Sequence, residues 1–313
     1  MLPILFIIDP PQSLHLKKDS TFALMKEAVK QNHEVYFCLQ HDLYIDANQL
    51  FCRTHRFEAN IFPNHAKTYE THPVSFFNAL FMRKDPPVDQ AYLHTTFLLD
   101  IAEKSNVKVF NKPSSIRSWN EKISILQFDE LIPKTLVTAN PEIVKQFFKD
   151  HGDIILKPLD GMGGSSIFRL RENDPNIAVV LETITSFYKS KVMIQRYIPE
   201  IVEGDKRILM INGDPMGAAI ARVPAKGELR GNLAAGATAI AKSLTERDLW
   251  ICSQVGPKLK ELGLVLVGLD VIGDYLTEIN VTSPTCFREY RNLCDIEVSR
   301  KLMDCVENIV NQG

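Results

Sequence analysis

The sequence lacks long hydrophobic runs and long blocks of like charge. The N-terminal apolar stretch, residues 1–8, is far shorter than the roughly 20 residues that span a bilayer. It has no basic n-region and continues directly into Asp9 and two prolines, so it is a poor signal peptide. The sequence contains no block of five like charges, so neither a polybasic arm nor an acidic tail is expected. We therefore expect a cytoplasmic protein with no membrane partner.

A large excess of charge of either sign is also missing. The 313 residues contain 36 Lys and Arg against 38 Asp and Glu, a net charge of −2. This balance removes the basic footprint of a dedicated nucleic-acid binder, so we expect no nucleic acid as a partner. Hydrophobic residues make up 45% and charged residues 24%, which is ordinary globular usage, and the length predicts about two domains.

Clustered cysteine and histidine are absent as well. No C-x-x-C pair and no H-E-x-x-H pattern appears, whereas a zinc site needs clustered ligands and a disulfide framework suits a short secreted chain. We expect reduced thiols, and we interpret all eight histidines as structural or surface residues. The six scattered cysteines are Cys38, Cys52, Cys252, Cys286, Cys294 and Cys305.

Strands and helices alternate in the first part of the sequence. The apolar run Pro3–Ile8 predicts a buried parallel strand, residues 19–30 predict a helix capped by Asp19, and residues 35–39 predict a second strand. The alternation continues with a strand at 79–83, a helix at 91–104 and a strand at 107–110. This pattern is typical of a doubly wound α/β domain. Residues 40–78 receive no assignment.

The regular alternation of strands and helices ends after residue 113. The predicted elements are a helical stretch at 114–128, a strand at 133–137, a helix at 141–150 and strands at 153–157 and 166–170. We place domain boundaries near residues 120 and 200. This gives an N-terminal domain (1–120), a central part (121–200) and a C-terminal part (201–313) with a mobile loop at 223–241.

A lysine followed by closely spaced glycines is the sharpest local signal. A predicted strand ends near Lys157, and Gly161, Gly163 and Gly164 follow. Glycines let backbone N–H groups approach an anion, and the ammonium adds a point charge. The segment is not a Walker A loop, because the lysine precedes the glycines. By itself it fits a phosphate-binding loop and a tight hairpin equally well.

Two apolar strands joined through Gly273 and Asp274 carry three oxygen-bearing side chains. Glu278 and Asn280 point to the same face of one strand, and Asp270 lies on the other strand. A two-residue loop would pair Asp270 with the residue before Glu278 and put Glu278 on the opposite face. A three-residue loop or a bulge would pair Asp270 with Glu278 and gather a Mg²⁺ site that phosphates complete. We predict the second register. The alternative to a metal site is a solvated polar face, but an unpaired carboxylate beside buried strands is costly.

Hydrophobic periodicity is lost over residues 221–236. Small residues and glycines alternate there with Arg222, Lys226 and Arg230. This composition predicts a mobile lid that brings positive charge over a substrate, with a plain flexible loop as the alternative. Residues 282–285 (TSPT) by themselves predict only a turn.

Taken together and in this order, these segments resemble the prokaryotic glutathione synthetases of the ATP-grasp superfamily. The resemblance covers nearly the whole chain and rests on long, specific runs at residues 17–20, 82–87, 120–122, 155–164, 230–236 and 281–285. The run at 237–241 departs from the glycine and basic residues that are common there in the family. Residues 40–78 and 288–299 follow the family only loosely.

The resemblance implies a fold and a reaction. The fold is an N-terminal doubly wound (pre-ATP-grasp) α/β domain followed by a two-part α+β ATP-grasp fold that clamps nucleotide between antiparallel sheets. The implied reaction is the ATP-dependent ligation of γ-glutamylcysteine and glycine through an acyl phosphate. It needs no protein nucleophile and uses ATP as co-substrate with Mg²⁺, or Mn²⁺ in its place. A homo-oligomer, as a tetramer, is also implied.

The resemblance also implies roles for individual residues. The nucleotide-binding residues are Lys122, Lys157, Gly161, Met162, Gly163, Gly164, Gln195, Tyr197, Ile198, Asp205 and Arg207. The metal ligands are Asp270, Glu278 and Asn280. The catalytic residues are Arg222, which stabilises charge, and Lys157. The substrate-side residues are Arg222, Arg230, Asn232, Ser283 and Thr285.

Two alternative functions remain open at the level of sequence. Another ATP-grasp carboxylate–amine ligase would share the lysines and carboxylates but differ in the lid and in residues 282–285. A non-catalytic nucleotide-binding relative would tolerate the loss of Arg222 or of the three metal ligands, yet all of them are present. Turnover of bound ATP distinguishes an enzyme from such a relative.

Overall fold

Three β-sheets follow one another along the chain in the computed structural model, which describes residues 1–64, 69–228, 230–233 and 236–312. His65 lies outside the described residues. The strands are β1 (Pro3–Ile8), β2 (Glu34–Leu39), β3 (Leu43–Asp46), β4 (Gln49–Arg56), β5 (Glu70–Pro73), β6 (Ala79–Met82), β7 (Lys108–Phe110), β8 (Thr135–Thr138), β9 (Asp153–Pro158), β10 (Phe168–Arg171), β11 (Val192–Arg196), β12 (Asp205–Ile211), β13 (Asp214–Pro215), β14 (Ala219–Val223), β15 (Thr238–Lys242), β16 (Leu266–Ile272) and β17 (Tyr275–Asn280). The helices are α1 (Ser20–Lys30), α2 (Gln90–Lys104), α3 (Pro113–Ser118), α4 (Pro141–His151), α5 (Ile177–Ile184), α6 (Glu246–Glu261), α7 (Phe287–Cys294) and α8 (Val298–Gln312).

The N-terminal sheet has the order β3-β4-β2-β1-β6-β7, with β5 paired to β4. Strands β2, β1, β6 and β7 are parallel, as the alternating pattern predicted. Strand β1 lies inside the sheet and is almost entirely buried, which explains its continuous apolar sequence. Asp19 caps α1 by accepting a hydrogen bond from the Phe22 N–H at 2.5 Å. The unassigned region 40–78 supplies the antiparallel strands β3, β4 and β5.

The central sheet is antiparallel and has the order β10-β9-β11-β8. Helices α4 and α5 pack on it through a small core that includes Val144, Leu156 and Leu181. The predicted start of α4 at its proline is confirmed, and Asn140 caps it with bonds from two backbone N–H groups.

The C-terminal sheet has the order β15-β14-β12-β16-β17, with β13 paired to β12, and it is antiparallel throughout. Side chains of α6 pack against one set of its residues, including Ile208 and Val267. Side chains of α7 and α8 pack with the alternate residues, such as Leu209, in a core that they share with β1 and α1. This shared core joins the C-terminal part to the N-terminal domain.

The predicted helical stretch at 114–128 is wrong as a single element. Helix α3 ends at Ser118, and two short 3₁₀ helices follow, Ile123–Gln127 and Asp129–Leu131. The Asn120 side chain accepts hydrogen bonds from the N–H groups of Lys122 and Ile123, which competes with helix continuation. Trp119, Ile125 and Leu131 then pack into the core of the C-terminal sheet. Tertiary packing therefore sets the path of this connection.

The described ranges contain no helix that is long and apolar enough to cross a membrane. The six cysteines are all free thiols in the structure. Burial raises the pKa of several of them, most clearly Cys52 and Cys252, each to about 12. These thiols are therefore protonated, which makes them poor nucleophiles.

Candidate active site

A cavity of about 820 Å³ lies between the central and C-terminal sheets and extends to the N-terminal domain. Residues of all three parts of the chain line it, including Asp9 from the first, Lys157 from the second and Asp270 from the third. Every candidate site residue that the sequence predicted contributes to its wall. The structure therefore brings together positions that are spread over residues 122–285.

The hairpin of β16 and β17 has the register that the sequence predicted. Its loop has two residues, since Ile272 pairs with Tyr275, but a bulge after Asp270 changes the pairing. As a result Asp270 lies opposite Glu278, and Thr277 is the extra residue whose hydroxyl donates to the Asp270 carbonyl at 3.1 Å. The bulge places the carboxylates of Asp270 and Glu278 on one face of the hairpin.

Asn280 is the third oxygen-bearing residue of the hairpin and lies opposite Gly268. Its amide nitrogen donates to the Gly268 carbonyl at 3.0 Å, so its oxygen is the end available to a cation. Glu278 and Asn280 lie two residues apart on β17 and share a face, as the strand period requires.

Two arginines neutralise Asp270. Arg207 Nε lies 2.5 Å from Asp270 Oδ1, and an Arg222 terminal nitrogen lies 2.9 Å from Oδ2. Burial by itself would raise the pKa of Asp270, but the two guanidinium groups outweigh burial and hold that pKa well below its usual range. Asp270 is therefore ionised at every physiological pH. The sequence pattern did not predict these pairings, because β12, β14 and β16 meet only in the folded sheet.

Two lysines face the same carboxylates from the opposite side of the cavity. Lys122 Nζ donates to the Gly161 carbonyl at 2.6 Å and to Glu278 Oε1 at 2.9 Å. Lys157 Nζ donates to Gln195 Oε1 at 2.8 Å. Burial lowers the pKa of Lys157, while Glu278 and other carboxylates partly restore it. The cavity thus holds several cations close to the carboxylates of Asp270 and Glu278.

The residues of the hairpin suit a hard divalent cation. They offer two carboxylates and one amide oxygen, which is a donor set for Mg²⁺ when phosphate oxygens complete the shell. Arg207, Arg222 and Lys122 balance the negative charges of these carboxylates. The carboxylates lie in a partly buried place, so they need positive charge beside them even without a metal ion. A bound cation would take over part of that balance.

Residues 159–167 form the connection between β9 and β10, which we call the glycine loop. At this length it is not a tight hairpin, so that alternative is excluded. Gly163 and Gly164 have φ values of +65° and +76°, which favour glycine. A Cβ atom on Gly164 would lie 3.1 Å from Arg230 Cδ, and one on Gly163 would lie 3.0 Å from Asn232 Nδ2. The glycine loop therefore contacts the predicted lid closely.

The predicted mobile loop at 223–241 is shorter in the structure. Val223 belongs to β14 and residues 238–241 belong to β15, so the connection itself, which we call the lid loop, covers residues 224–237. Positions 229, 234 and 235 lie outside the described residues. Arg230 pairs with Glu228 at 2.6 Å. The unusual run at 237–241 thus forms most of an edge strand of the C-terminal sheet.

Asp205 lies at the start of β12, between the two sheets. An Arg222 nitrogen lies 2.6 Å from Asp205 Oδ2, whereas Oδ1 is buried and has no hydrogen-bond partner among the described residues. Burial raises the pKa of Asp205 to about 7 even though Arg222 acts in the opposite direction. Asp205 lines the cavity, but the unpaired Oδ1 itself is inaccessible, so the carboxylate carries the cost of a buried acceptor without a partner in the described part of the chain.

The stability of the ligand-free protein is expected to depend on the ionisation of Asp205. Its folded pKa is raised to about 7, above an unfolded value of about 3.9. The folded protein therefore retains a proton that the unfolded chain releases, and this stabilisation declines as pH rises towards 7. We expect the Tm of the wild type, relative to Asp205→Asn, to be lower at about pH 8 than at about pH 5. A Tm difference that is independent of pH would contradict this.

The segment Thr282–Thr285, which we call the substrate turn, forms the end of the cavity nearest the N-terminal domain. An Arg83 terminal nitrogen donates to the Pro284 carbonyl at 2.9 Å, and Ser283 Oγ donates to the Arg83 carbonyl at 3.4 Å. Arg83 is buried and also bonds to the Thr21 hydroxyl of α1. No sequence motif by itself predicted a role for Arg83. Only its position within the run 82–87, which resembles the family, indicated that it could belong to the site.

Two antiparallel sheets enclose the cavity, and paired lysines, a glycine loop and a carboxylate hairpin lie between them. This arrangement is that of the ATP-grasp class of ligases. D-cycloserine synthetase DcsG has the same fold, with a TM-score of 0.70 and 14% identity over 98% of this chain and 99% of that one. Family models for the prokaryotic glutathione synthetase N-terminal domain and ATP-grasp domain match residues 2–117 and 121–295. This chain belongs to the prokaryotic glutathione synthetase family.

Relatives with curated names support the same assignment over the full length. The glutathione synthetase of Vibrio parahaemolyticus is 48% identical over 313 residues and covers 99% of each chain. The glutathione synthetase of Escherichia coli is 44% identical over 317 residues and covers 100% of each chain. The match therefore includes the N-terminal domain, the lid loop and the substrate turn together.

Proposed function

We propose that this chain is a glutathione synthase, which joins γ-glutamylcysteine to glycine and converts ATP to ADP and phosphate. The observation that carries the proposal is a single cavity that runs from the paired lysines, past the carboxylate hairpin, to the substrate turn, in a chain that matches glutathione synthetases over its full length. The same family membership argues against a different ATP-grasp ligase and against a non-catalytic relative.

The nucleotide is assigned to the part of the cavity between the central and C-terminal sheets. Ile155, Ile198 and Ile201 provide an apolar wall for a purine, and Gln195 and Tyr197 lie on the same side. Asp205 lines the same part of the cavity, and its carboxylate would accept a hydrogen bond from a ribose hydroxyl. The remaining residues, which would contact phosphates, are Lys122, Lys157, Gly161, Met162, Gly163, Gly164 and Arg207.

The chemistry that we assign to the cavity is carboxylate activation followed by amide formation. The cysteinyl carboxylate of the dipeptide attacks the γ-phosphorus of ATP, and ADP leaves with the bond electrons. The amine of glycine then attacks the carbonyl of this acyl phosphate, loses a proton and expels phosphate. Phosphoryl transfer depends mainly on positioning and charge neutralisation, which the half-buried Lys157 and the buried Arg222 would supply as cations.

Mg²⁺, which ATP-grasp ligases use in general, would be held by Asp270, Glu278 and Asn280. Mn²⁺, which prefers similar oxygen ligands, is an alternative ion. Bound there, the ion would neutralise charge on the phosphate oxygens. Arg230 and Asn232 of the lid loop, which contact the glycine loop, would cover the acyl phosphate and keep water away from it. Ser283 and Thr285 would contact the dipeptide.

Several further statements remain proposals about the whole molecule. The division near residue 120 is supported by the family models, which meet between residues 117 and 121. The division near residue 200 is supported by the change from the central to the C-terminal sheet. The movement of the lid loop, a cytoplasmic location and a homo-oligomeric state, as a tetramer, rest on the resemblance to the family.

Release of ADP is expected to require both amino-acid substrates. With Mg²⁺-ATP and γ-glutamylcysteine but no glycine, we expect little more than a single turnover, because a closed cavity retains the acyl phosphate. Addition of glycine should start steady release of ADP together with equimolar glutathione. Coupled ADP assays and mass spectrometry measure both quantities.

Two other results would contradict the proposal in different ways. Binding of ATP without ADP release in the presence of either substrate would favour a non-catalytic relative. Steady ADP release with an acceptor other than glycine, and none with glycine, would favour a different ATP-grasp ligase.

A further inference from the structure

Glu121 holds the beginning of the substrate turn with a single carboxylate oxygen. Its Oε1 accepts three hydrogen bonds: from the Val281 N–H at 2.8 Å, the Thr282 N–H at 3.1 Å and the Thr282 hydroxyl at 2.9 Å. Val281 and Thr282 are both buried. Three donors converge on this one acceptor atom, so the oxygen anchors the start of the turn.

The backbone of Glu121 is attached to the metal-binding hairpin. Its carbonyl accepts a hydrogen bond at 2.9 Å from the N–H of Ile279, the residue between Glu278 and Asn280. Glu121 therefore contacts β17 through its backbone and the residues just after β17 through its side chain. The two contacts fix the direction in which the chain leaves the metal ligands and enters the substrate turn.

The neighbours of Glu121 reach the opposite wall of the cavity. Asn120 Nδ2 donates to the Leu159 carbonyl at 3.3 Å. Lys122 Nζ donates to the Gly161 carbonyl at 2.6 Å and to Glu278 at 2.9 Å. Three consecutive residues thus connect the glycine loop to the hairpin and to the substrate turn that follows it, whose contacted residues lie more than 100 positions further along the chain.

We infer that Glu121 is a positioning residue that fixes the substrate turn relative to the nucleotide side of the cavity, through the three hydrogen bonds to its Oε1. The assignment of the dipeptide to this turn rests on the proposed function. The role depends on the acceptor atom, because all three donors converge on one oxygen.

The other end of the turn has its own support. Arg83 binds the Pro284 carbonyl, and Ser283 donates to the Arg83 carbonyl. Loss of the Glu121 carboxylate therefore releases the start of the turn without removing these contacts. The expected effect is a local loosening rather than global unfolding.

The test compares Glu121→Ala with Glu121→Gln. Glutamine keeps an acceptor oxygen at the Oε1 position, whereas alanine removes it. For Glu121→Ala we expect the KM for γ-glutamylcysteine to rise about 10- to 100-fold, the range expected when buried hydrogen-bond donors lose their acceptor. The KM for ATP should stay within about twofold, since Lys122 is retained. Glu121→Gln should keep both constants near those of the wild type. Glu130→Ala, at an exposed carboxylate of the same segment, is the matched control.

A second measurement does not depend on the reaction. Amide hydrogen exchange at Val281 and Thr282 should be about tenfold faster or more in Glu121→Ala, with no change in Glu121→Gln or in strand β11. Even if the wild type made no glutathione, which would refute the proposed function, this exchange would still report whether Glu121 holds the turn.

Three outcomes would overturn the inference. Equal damage in Glu121→Gln and Glu121→Ala would show that the charge matters and the acceptor does not. Equal rises in the KM for ATP and for the dipeptide would indicate a general loss of structure. Unchanged exchange at Val281 and Thr282 in Glu121→Ala would show that other contacts hold the turn.

Discussion

Asp270→Asn is expected to reduce kcat/KM by about 10³-fold or more, because it removes a proposed metal ligand and the buried carboxylate that Arg207 pairs with. Among the described carboxylates, Arg222 then retains only Asp205 as a partner. Removal of one member of a buried ion pair costs about 3–5 kcal/mol, so the Tm should fall as well. The requirement for Mg²⁺ should rise sharply, as a titration of activity against Mg²⁺ would show. Asp274→Asn, at an exposed carboxylate of the same hairpin, is the matched control and should behave as the wild type.

Glu278→Gln extends this test to the second carboxylate of the hairpin. Its lysine partner, Lys122, retains the Gly161 carbonyl, so the loss of stability should be smaller than in Asp270→Asn. The Mg²⁺ requirement should still rise. An unchanged Mg²⁺ titration in both variants would refute the assignment of a metal site to this hairpin.

Arg222→Ala is expected to lower kcat by about 10²- to 10³-fold, the range seen when one charge-stabilising donor is removed from a reacting centre. Burial alone would lower the pKa of Arg222, but Asp205 and Asp270 outweigh burial and raise it, so the side chain remains a cation at all working pH values. The dissociation constant for ATP should change by only about threefold, because the lysines of the cavity are retained. Single-turnover kinetics and equilibrium titration with ATP separate the two effects.

Two further variants serve as controls for Arg222. Arg222→Lys keeps a positive charge but loses the forked contact with Asp205 and Asp270, so it should fall between the wild type and alanine. Arg247→Ala removes a half-buried arginine outside the cavity that donates to two backbone carbonyls and should leave kcat unchanged. A loss of ATP affinity with intact kcat in Arg222→Ala would remove Arg222 from the catalytic role.

Local patterns predicted the elements whose sequences carry their own signal. The apolar run of β1, the Asp19 cap of α1 and the proline start of α4 all appear in the structure. These features depend on neighbours within one turn or one strand, so the sequence contains the relevant interactions. The helix predicted over 114–128 was wrong, because Trp119, Ile125 and Leu131 are drawn into the core of a distant sheet.

The strands β3, β4 and β5 could not be assigned in advance for a related reason. Their sequences mix polar residues with apolar and aromatic ones, and the strands pair with one another and with β2. Propensity is a weak guide where the partner strand decides the outcome.

The sequence by itself indicated the family, the alternating elements of the N-terminal domain and a set of candidate site residues, all of which line the cavity. It also favoured the register that pairs Asp270 with Glu278, which the structure shows, over the register without a bulge. Such information resides in residue types and short spacings, which the sequence displays directly.

Tertiary structure decided how the charges of the cavity are balanced. The pairing of Asp270 with Arg207 and Arg222 requires three strands to lie side by side, and the contacts of Glu121 and Arg83 with the substrate turn join residues more than 150 positions apart. Ion pairs and hydrogen bonds act over a few ångströms, so their partners are set by the fold and not by separation along the chain.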